Sequence, residues 1–272
     1  MALNGRTIVI TGSTRGIGRA IALRCARDGA NIVVSGKSDT PNPQLPGTIF
    51  TVAEEVERAG GKALAVKVDV RFEEDVDRLF EKALEKFGQV DALVNNAGAL
   101  FLAPTLKTPM KRFDLVHQIN VRATFMCTQK AIPHLRKTPN PHVLNLSPPL
   151  SLNPKWHQNN VAYSLSKLGM TLCTLSMAAE FAEDGISINS LWPRKMIATA
   201  ATRMLLGEEG LARTRTPEIM AEAAYHILST PRGQLTGSVL LDEDFLRSRG
   251  IRQFSHFSMD PKKEPLDDYY VD

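Results

Sequence analysis

A short glycine-rich run near the start of the chain constrains its fold more than any other feature. The letters TGSTRGIG occupy residues 11–18 and directly follow the apolar stretch 7–10, which is typical of a buried strand. After the run, Ile17, Ile21 and Cys25 recur with helical spacing. A strand that turns sharply into a helix presents backbone N–H groups and a helix N-terminus to an anion. The run therefore predicts a βα unit that holds the pyrophosphate of a dinucleotide.

The spacing of the glycines in this run is TGxxxGxG, whereas the older dinucleotide fingerprint is GxGxxG. The prediction therefore rests on mechanism: glycine lets the chain reverse tightly, lets backbone N–H groups approach the ligand and lets the helix pack close to the strand. We expect the turn to bind the dinucleotide through Gly12, Ser13, Thr14, Arg15, Gly16, Ile17 and Gly18.

Strands and helices alternate along the rest of the chain. Apolar stretches typical of buried strands occur at residues 7–10, 32–35, 63–70, 90–94, 142–146, 186–191 and 237–241. This order predicts an α/β fold, with a Rossmann-type doubly wound parallel sheet of six to seven strands in a single domain. We expect that domain to span residues 1–250 and a C-terminal extension to span residues 251–272.

Composition excludes several classes of partner. The net charge is +4, but Lys and Arg are scattered singly and aromatic residues make up only 6%, which favours a solvated basic surface over a nucleic-acid site. Cys25, Cys127 and Cys173 are odd in number and far apart, as expected in a reducing compartment, and no metal-ligand spacing is present. With no signal-like start and no apolar run near ~20 residues, the sequence predicts a cytoplasmic protein without a membrane span.

Seven motifs follow one another in an order that is specific as a set. They are TGSTRGIG at 11–18, Asp69-Val70, Asn95-Asn96-Ala97-Gly98, Asn120, YSLSK at 163–167, Trp192-Pro193 and Thr236-Gly237. Over about residues 5–242 the chain resembles the short-chain dehydrogenase/reductase family. Within it, the proline-rich insert at 38–50 and the runs LSPPL at 146–150 and LWP at 191–193 are most similar to hydroxysteroid-dehydrogenase-like proteins.

Tyr163 and Lys167 lie four residues apart on a predicted helix, which places both side chains on one face. A nearby ammonium lowers the pKa of an acid, so we expect Tyr163 to exchange a proton with the substrate oxygen at working pH. The resemblance implies that Lys167 also holds the nicotinamide ribose. It further implies that Asn120 disturbs its helix and holds a water that supplies protons to the lysine; an ordinary core asparagine is the alternative.

The chain departs from the family pattern at the catalytic serine. Aligning the strand at 142–146 with the family places Pro148 where a serine usually donates a hydrogen bond to the substrate oxygen. Proline has no such donor, and losing one donor of this kind costs about 10² to 10³ in rate. Ser147 is the favoured replacement and Ser151 is the second candidate. A loop hydroxyl that bonds its own backbone is the alternative for each.

The residues after the second strand predict the coenzyme. An acid that would bind the ribose 2′-OH of NAD is missing until Asp39, whereas Lys37 and Arg15 can neutralise a 2′-phosphate. The sequence therefore predicts NADP(H) in preference to NAD(H). The resemblance adds further coenzyme contacts at Asp69, Val70, Asn96, Ala97, Gly98 and Pro193.

These features favour an oxidoreductase that interconverts a secondary alcohol and a ketone or aldehyde. The resemblance implies that residues 194–210, after the sixth strand, form a mobile lid over the substrate. The apolar residues of this segment favour a hydrophobic substrate, with ordinary helix packing as the alternative: Met196, Ile197, Met204, Leu205 and Leu206. The resemblance suggests a dimer or tetramer formed through the long helices around Asn120 and Tyr163. A nucleotide-binding module with little catalysis, acting as a redox sensor or scaffold, is the alternative. The charged stretch 260–272 is a tail, a cover for the active site or a subunit contact.

Overall fold

A computed structural model describes residues 2–43 and 45–271, and a parallel sheet lies at its centre. The described residues form seven strands in the order β3-β2-β1-β4-β5-β6-β7, with every neighbouring pair parallel. The strands are Thr7–Ile10 (β1), Asn31–Gly36 (β2), Lys62–Lys67 (β3), Ala92–Asn95 (β4), His142–Asn145 (β5), Ser187–Trp192 (β6) and Val239–Leu241 (β7). The predicted doubly wound fold is confirmed. The strand order reverses between β1 and β4, and in such sheets ligands bind outside the carboxyl ends of the strands at that point.

Nine α-helices belong to the described part of the chain. They are Gly16–Ala26 (α1), Ile49–Arg58 (α2), Glu73–Phe87 (α3), Met110–His117 (α4), Ala123–Leu135 (α5), Val161–Glu180 (α6), Ala200–Leu211 (α7), Glu218–Leu228 (α8) and Asp242–Ser248 (α9). A π-helical turn, Gln118–Arg122, joins α4 to α5. Short 3₁₀ turns occur at Thr105–Lys107, Pro154–Trp156 and Ser255–Phe257. Within the described ranges, no helix combines the length and apolar character that a membrane span requires.

Two apolar cores cover the two faces of the sheet. Ile8 and Ile10 of β1 belong to the core beneath α1, α2 and α8, whereas Val9 belongs to the core beneath α3, α5 and α6. This alternation follows from the two-residue period of a strand, and burial on both faces explains why the strands are apolar throughout.

Among the strands that are shorter than predicted, the third and the seventh differ most. The third strand ends at Lys67, and Val70 instead packs into the second core. The seventh begins at Val239 because Gly237 has a φ of +64°, which lies outside the extended region that a strand requires.

Residues 251–271 pack onto the sheet domain. Phe254 and Phe257 join the first core, and Arg215, itself buried, donates hydrogen bonds to the Phe254 carbonyl at 2.8 Å and to Glu243. Tyr270 and Val271 join a third buried cluster together with Tyr163. Asp272, the last residue of the predicted extension, lies outside the described residues. Of the three possibilities for 260–272, the described part of this stretch supports a cover, because it lies against Tyr163.

Candidate functional site

The glycine-rich turn connects β1 to α1 at the carboxyl edge of the sheet. Gly12 and Gly16 have φ values of +66° and +55°, in the left-handed region that favours glycine. The side chain of the N-cap residue Arg15 makes no capping hydrogen bond to the first turn of α1. The first backbone N–H groups of α1 are therefore left for an anion, as a pyrophosphate site requires.

The asparagine loop after β4 is interlocked with this turn. The side-chain amide of Asn96 donates hydrogen bonds to the carbonyls of Thr11 and Gly12, each at 2.9 Å. The Thr11 hydroxyl accepts from the backbone N–H groups of Asn96 and Ala97 at 3.0 Å. A Cβ at Gly12 would come within 2.9 Å of the Ala97 Cα. The two loops thus form one rigid surface, and the absence of a side chain at Gly12 permits their close approach.

Charged side chains gather where β2 and β3 end. The Arg71 guanidinium donates to the carboxylate of Asp69 at 2.6 Å, and the ammonium of Lys37 lies 3.8 Å from the same carboxylate. Burial alone would raise the pKa of Asp69, but the hydrogen bonds from Arg71 hold this pKa below its ordinary value. Asp39 is paired with Lys67 at 2.8 Å. The carboxylates in this region are thus neutralised by cations.

Arg15 extends from the turn toward the proline-rich insert. Its guanidinium donates to the Ser38 hydroxyl at 2.8 Å and to the carbonyls of Leu45 and Gly47 at 3.3 Å. The insert therefore fixes the Arg15 side chain in place beside the end of β2.

Tyr163 and Lys167 are both buried on α6; Tyr163 belongs to the same buried cluster as Trp192, and the Lys167 ammonium lies over the Trp192 ring. The Lys167 ammonium donates a 2.7 Å hydrogen bond to the carbonyl of Leu146, at the end of β5, and lies 5.1 Å from the centre of the Trp192 ring. Burial lowers the pKa of Lys167 to about 8. The predicted common face of α6 is confirmed.

The expected lowering of the Tyr163 pKa is wrong for this structure. Burial raises the pKa of the phenol well above its ordinary value, and the nearby acidic groups of Tyr270, Asp268 and Tyr269 raise it further. A phenolate would have to form away from water, close to other acidic groups, while the Lys167 ammonium is directed to the Leu146 carbonyl. Spacing on the helix did not reveal this desolvation.

Ser147 lies beneath α6, at the position where β5 ends. It is fully buried, and its hydroxyl has no hydrogen-bond partner among the described residues. The residues on either side of Ser147 are fixed to α6 by hydrogen bonds. Lys167 donates to the carbonyl of Leu146, and the Thr171 hydroxyl donates to the carbonyl of Pro148 at 2.7 Å. An unpartnered buried hydroxyl at this place fits a group that bonds a substrate oxygen.

Ser151, the second candidate, is engaged within its own loop. Its hydroxyl accepts from the backbone N–H of Asn153 at 3.3 Å, and its carbonyl lies 2.8 Å from Nε2 of His157. These bonds stabilise the loop before α6, and the preference for Ser147 over Ser151 stays a prediction.

Asn120 lies in the π-helical turn between α4 and α5 and is fully buried. Its side-chain oxygen accepts from the N–H of Ala99 at 2.8 Å, and its amide donates to the Ala99 carbonyl and to the Ser166 hydroxyl. Ser166 in turn donates to the carbonyl of Tyr163 at 2.7 Å. The expected disturbance of the helix is confirmed, and Asn120 links the asparagine loop to the helix that carries Tyr163.

Sequence reasoning left the role of residues 260–272 open and did not single out which of them reach the site. Tyr270 is 1% exposed and lies in the same cluster as Tyr163, with its hydroxyl 3.0 Å from that of Ser164. Trp192 donates from Nε1 to the Tyr269 carbonyl at 2.8 Å. The available signal was the pair Tyr269-Tyr270, which lies near the end of the charged stretch 260–272.

Comparison with known proteins agrees with this geometry. The profile of the short chain dehydrogenase family matches residues 6–209. The chain belongs to the short-chain dehydrogenase family. Hydroxysteroid dehydrogenase-like protein 2 from Danio rerio is similar, with 51% identity over 99% of this chain. The chain spans 65% of the length of that relative.

Two solved dehydrogenase structures have the same fold. A Xanthomonas campestris protein superposes with a TM-score of 0.97, at 48% identity and with full coverage of both chains. A short chain dehydrogenase from Mycobacterium thermoresistibile has a TM-score of 0.94 and 46% identity, with 99% of this chain and 96% of that chain covered. The resemblance inferred from the ordered motifs is confirmed.

The remaining residues expected from the short-chain dehydrogenase pattern divide into two groups. Gly98 and Pro193 lie near the site, after β4 and β6 respectively. Val70 and Ile197 belong to the cores, and Ile17 packs against the first of them. For Ile197 the structure supports the alternative of ordinary packing over a contact with substrate.

Proposed function

We propose that this chain is an NADP(H)-dependent oxidoreductase that interconverts a secondary alcohol and a ketone or aldehyde. The observation that carries the proposal is the buried pair Tyr163 and Lys167 on α6, together with the buried hydroxyl of Ser147, which has no partner among the described residues. The experiment that tests it is turnover of secondary alcohols by the natural chain and by Tyr163→Phe.

The residues around the glycine turn fit a dinucleotide coenzyme. Asn96 braces the turn at Gly12, the start of α1 would face the pyrophosphate, and Lys167 would hold the ribose. When bound, the coenzyme supplies or accepts a hydride. Tyr163 gives its hydroxyl proton to the oxygen of a carbonyl substrate, or takes one from an alcohol. Ser147 donates a hydrogen bond to that oxygen and holds it beside Tyr163.

The preference for NADP(H) is supported by the charges around β2. Lys37 is the exposed cation directly after the strand, and its side chain is 61% exposed. The carboxylates of Asp39 and Asp69 are already paired with Lys67 and Arg71. A 2′-phosphate placed here meets positive charge and no unpaired carboxylate.

Lys37→Glu is expected to weaken NADPH binding by about ten-fold or more, with little effect on NADH, because it sets a like charge against the 2′-phosphate. Titration calorimetry measures both affinities. Lys62→Glu is the matched control, since it makes the same charge change at the amino end of the neighbouring strand. Tighter binding of NADH than of NADPH to the natural chain would refute the preference.

We further propose a hydrophobic substrate. Support comes from α7 in the segment 194–210, where Met204 is 85% exposed and Leu205 is 47% exposed. The helix is interrupted at Gly207, whose φ is +66°. Exposed apolar side chains beside a break in a helix fit a lid that closes over an apolar molecule.

A nucleotide-binding module with little catalysis is the second candidate. Pro148 at the usual serine position and the raised pKa of Tyr163, caused first by burial, both favour it. Turnover lost in Tyr163→Phe would favour the enzyme. Coenzyme binding without turnover of any ketone or alcohol would favour the module.

A homo-oligomer formed through α4, α5 and α6 is also proposed. Phe125, Leu165 and Leu172 are 49%, 52% and 54% exposed on this side of the molecule. Phe125 also lines a cavity of about 390 Å³ with Val121. Apolar side chains grouped on one surface fit a self-complementary contact between copies.

Leu172→Glu is expected to convert the oligomer to a monomer, because it places a charge within an apolar contact. Sedimentation velocity measures the mass. Met204→Glu, at an even more exposed apolar residue on α7, should keep the oligomer. A monomeric natural chain, or an oligomer that survives Leu172→Glu, would contradict the proposed contact.

We also propose that this chain is located in a cytoplasmic, reducing compartment. Cys25 and Cys127 are free thiols, and both are buried. Burial raises the pKa of each to about 12, so both remain unreactive.

A further inference from the structure

The last part of the described chain runs along the segment that follows β6. We name residues 265–271 the C-terminal strap. Leu266 accepts a hydrogen bond from Met196 N–H at 2.9 Å, and Asp268 N–H donates to the Arg194 carbonyl at 3.0 Å. An ion pair of 2.9 Å joins Lys195 to Asp267. These contacts hold the strap along residues 194–196, and Tyr270 near its end lies in the same buried cluster as Tyr163.

The side chain of Tyr270 fills the space beside the catalytic tyrosine. Its ring is edge-on to Trp192 with 6.1 Å between centroids, and it lies 6.3 Å from Trp156 and 5.7 Å from His157. Its hydroxyl bonds to Ser164, the residue next to Tyr163. A ring held on three sides by aromatic groups and bonded at its oxygen occupies a formed pocket.

The backbone of Tyr270 is strained. Its φ is +66°, and it is the only non-glycine residue within 2–43 and 45–271 that has a positive φ. A bulky side chain rarely adopts this region, and such strain persists only where surrounding contacts hold it. Release of the strap relieves the strain, so opening costs less than the burial of Tyr270 alone would require.

The strap, when it lies over Tyr163, also disfavours proton exchange at the phenol. With the strap in place Tyr163 is 8% exposed, and burial together with the acidic groups of the strap raises the pKa of its phenol. The closed form therefore neither admits substrate nor favours loss of the proton.

We propose that the C-terminal strap is an autoinhibitory segment whose Tyr270 side chain occupies a ring-binding subsite of the active site. The subsite has aromatic walls from Trp156 and Trp192, and the hydroxyl of Ser164 bonds the oxygen of the ring that fills it. It takes a flat apolar ring that carries an oxygen, and this ligand binds only when Tyr270 leaves. The proposal rests on the proposed function, but closure itself can be measured without turnover.

The first test uses tryptophan fluorescence. The sequence contains only two tryptophans, Trp156 and Trp192, and both contact the strap. Tyr270→Ala should raise the acrylamide quenching constant of the tryptophans at least about two-fold. Tyr270→Phe loses only the hydrogen bond to Ser164, so the population of the open strap should rise about two- to ten-fold. Lys263→Ala, at an exposed lysine before the strap, should change nothing. Unchanged quenching in folded Tyr270→Ala would overturn the closure.

The second test uses turnover of 1-phenylethanol and 2-butanol with NADP⁺. Tyr270→Ala should raise kcat/KM for 1-phenylethanol about ten-fold or more, and raise it less for 2-butanol, which has no ring to fill the subsite. A fall in kcat/KM would make Tyr270 a wall that supports substrate and would overturn autoinhibition. If neither the natural chain nor Tyr270→Ala turns over any alcohol, the proposed function fails, while the quenching result still decides whether the strap closes. Tyr270→Phe keeps the test usable where Tyr270→Ala does not fold.

Discussion

Tyr163→Phe is expected to lower turnover of secondary alcohols by about 10² to 10⁴-fold, because it removes the hydroxyl that exchanges a proton with the substrate oxygen. The phenyl ring keeps the packing against Trp192 and Val271, so the fold should be retained. Coenzyme affinity should change little, since the turn and the asparagine loop are untouched. Steady-state kinetics with NADP⁺ and calorimetry with NADPH give the two quantities.

Tyr225→Phe is the matched control for this prediction. Tyr225 lies on α8, where the Arg24 guanidinium covers its ring at 3.4 Å, and it is remote in the fold from α6. The same loss of a hydroxyl there should leave turnover unchanged. Turnover that survives in Tyr163→Phe would remove the proposed mechanism.

Gly18→Ala is expected to lower the free energy of unfolding by about 1–3 kcal/mol, the usual cost of overpacking, and to abolish measurable coenzyme binding. A Cβ at Gly18 would lie 2.8 Å from the Gly12 carbonyl and 3.0 Å from Cγ of Asn96. Because Asn96 donates to the carbonyls of Thr11 and Gly12, a shift of its side chain disrupts the whole turn. Denaturant titration and NADPH calorimetry measure the two effects.

Gly98→Ala separates this steric effect from a general cost of replacing glycine. A Cβ at Gly98 would meet its nearest neighbour, Oδ1 of Asn120, at 3.6 Å, an ordinary contact. The stability of Gly98→Ala should therefore remain close to that of the natural chain. Equal stability of Gly18→Ala and Gly98→Ala would show that the interlocked loops do not constrain Gly18.

Several features of the site were predictable because they depend on neighbours in the chain. Tyr163 and Lys167 share a face because four residues make about one helical turn. Gly12 and Gly16 adopt positive φ, as expected of glycines in a tight turn. The doubly wound sheet follows from the alternation of strands and helices, since parallel strands need such crossovers.

Electrostatic properties of the same residues were not predictable from their spacing. Proximity to Lys167 suggested a lower pKa for Tyr163, but burial reverses the direction. Desolvation depends on every group that excludes water from the phenol, and most of these groups are far away in the sequence. The apolar letters of 194–210 likewise did not separate Ile197, which is buried in the core, from Met204, which is exposed.

By itself the sequence determined the glycine turn, the order of strands and helices, the family and the Tyr163–Lys167 pair, because each depends on short-range spacing or on an ordered set of motifs. Only the tertiary structure decided that Ser147 has a free buried hydroxyl and that the strap covers Tyr163. The bond between Ser164 and Tyr270 joins residues 106 positions apart. Such a contact exists only after the chain has folded, and no local pattern at either residue encodes it.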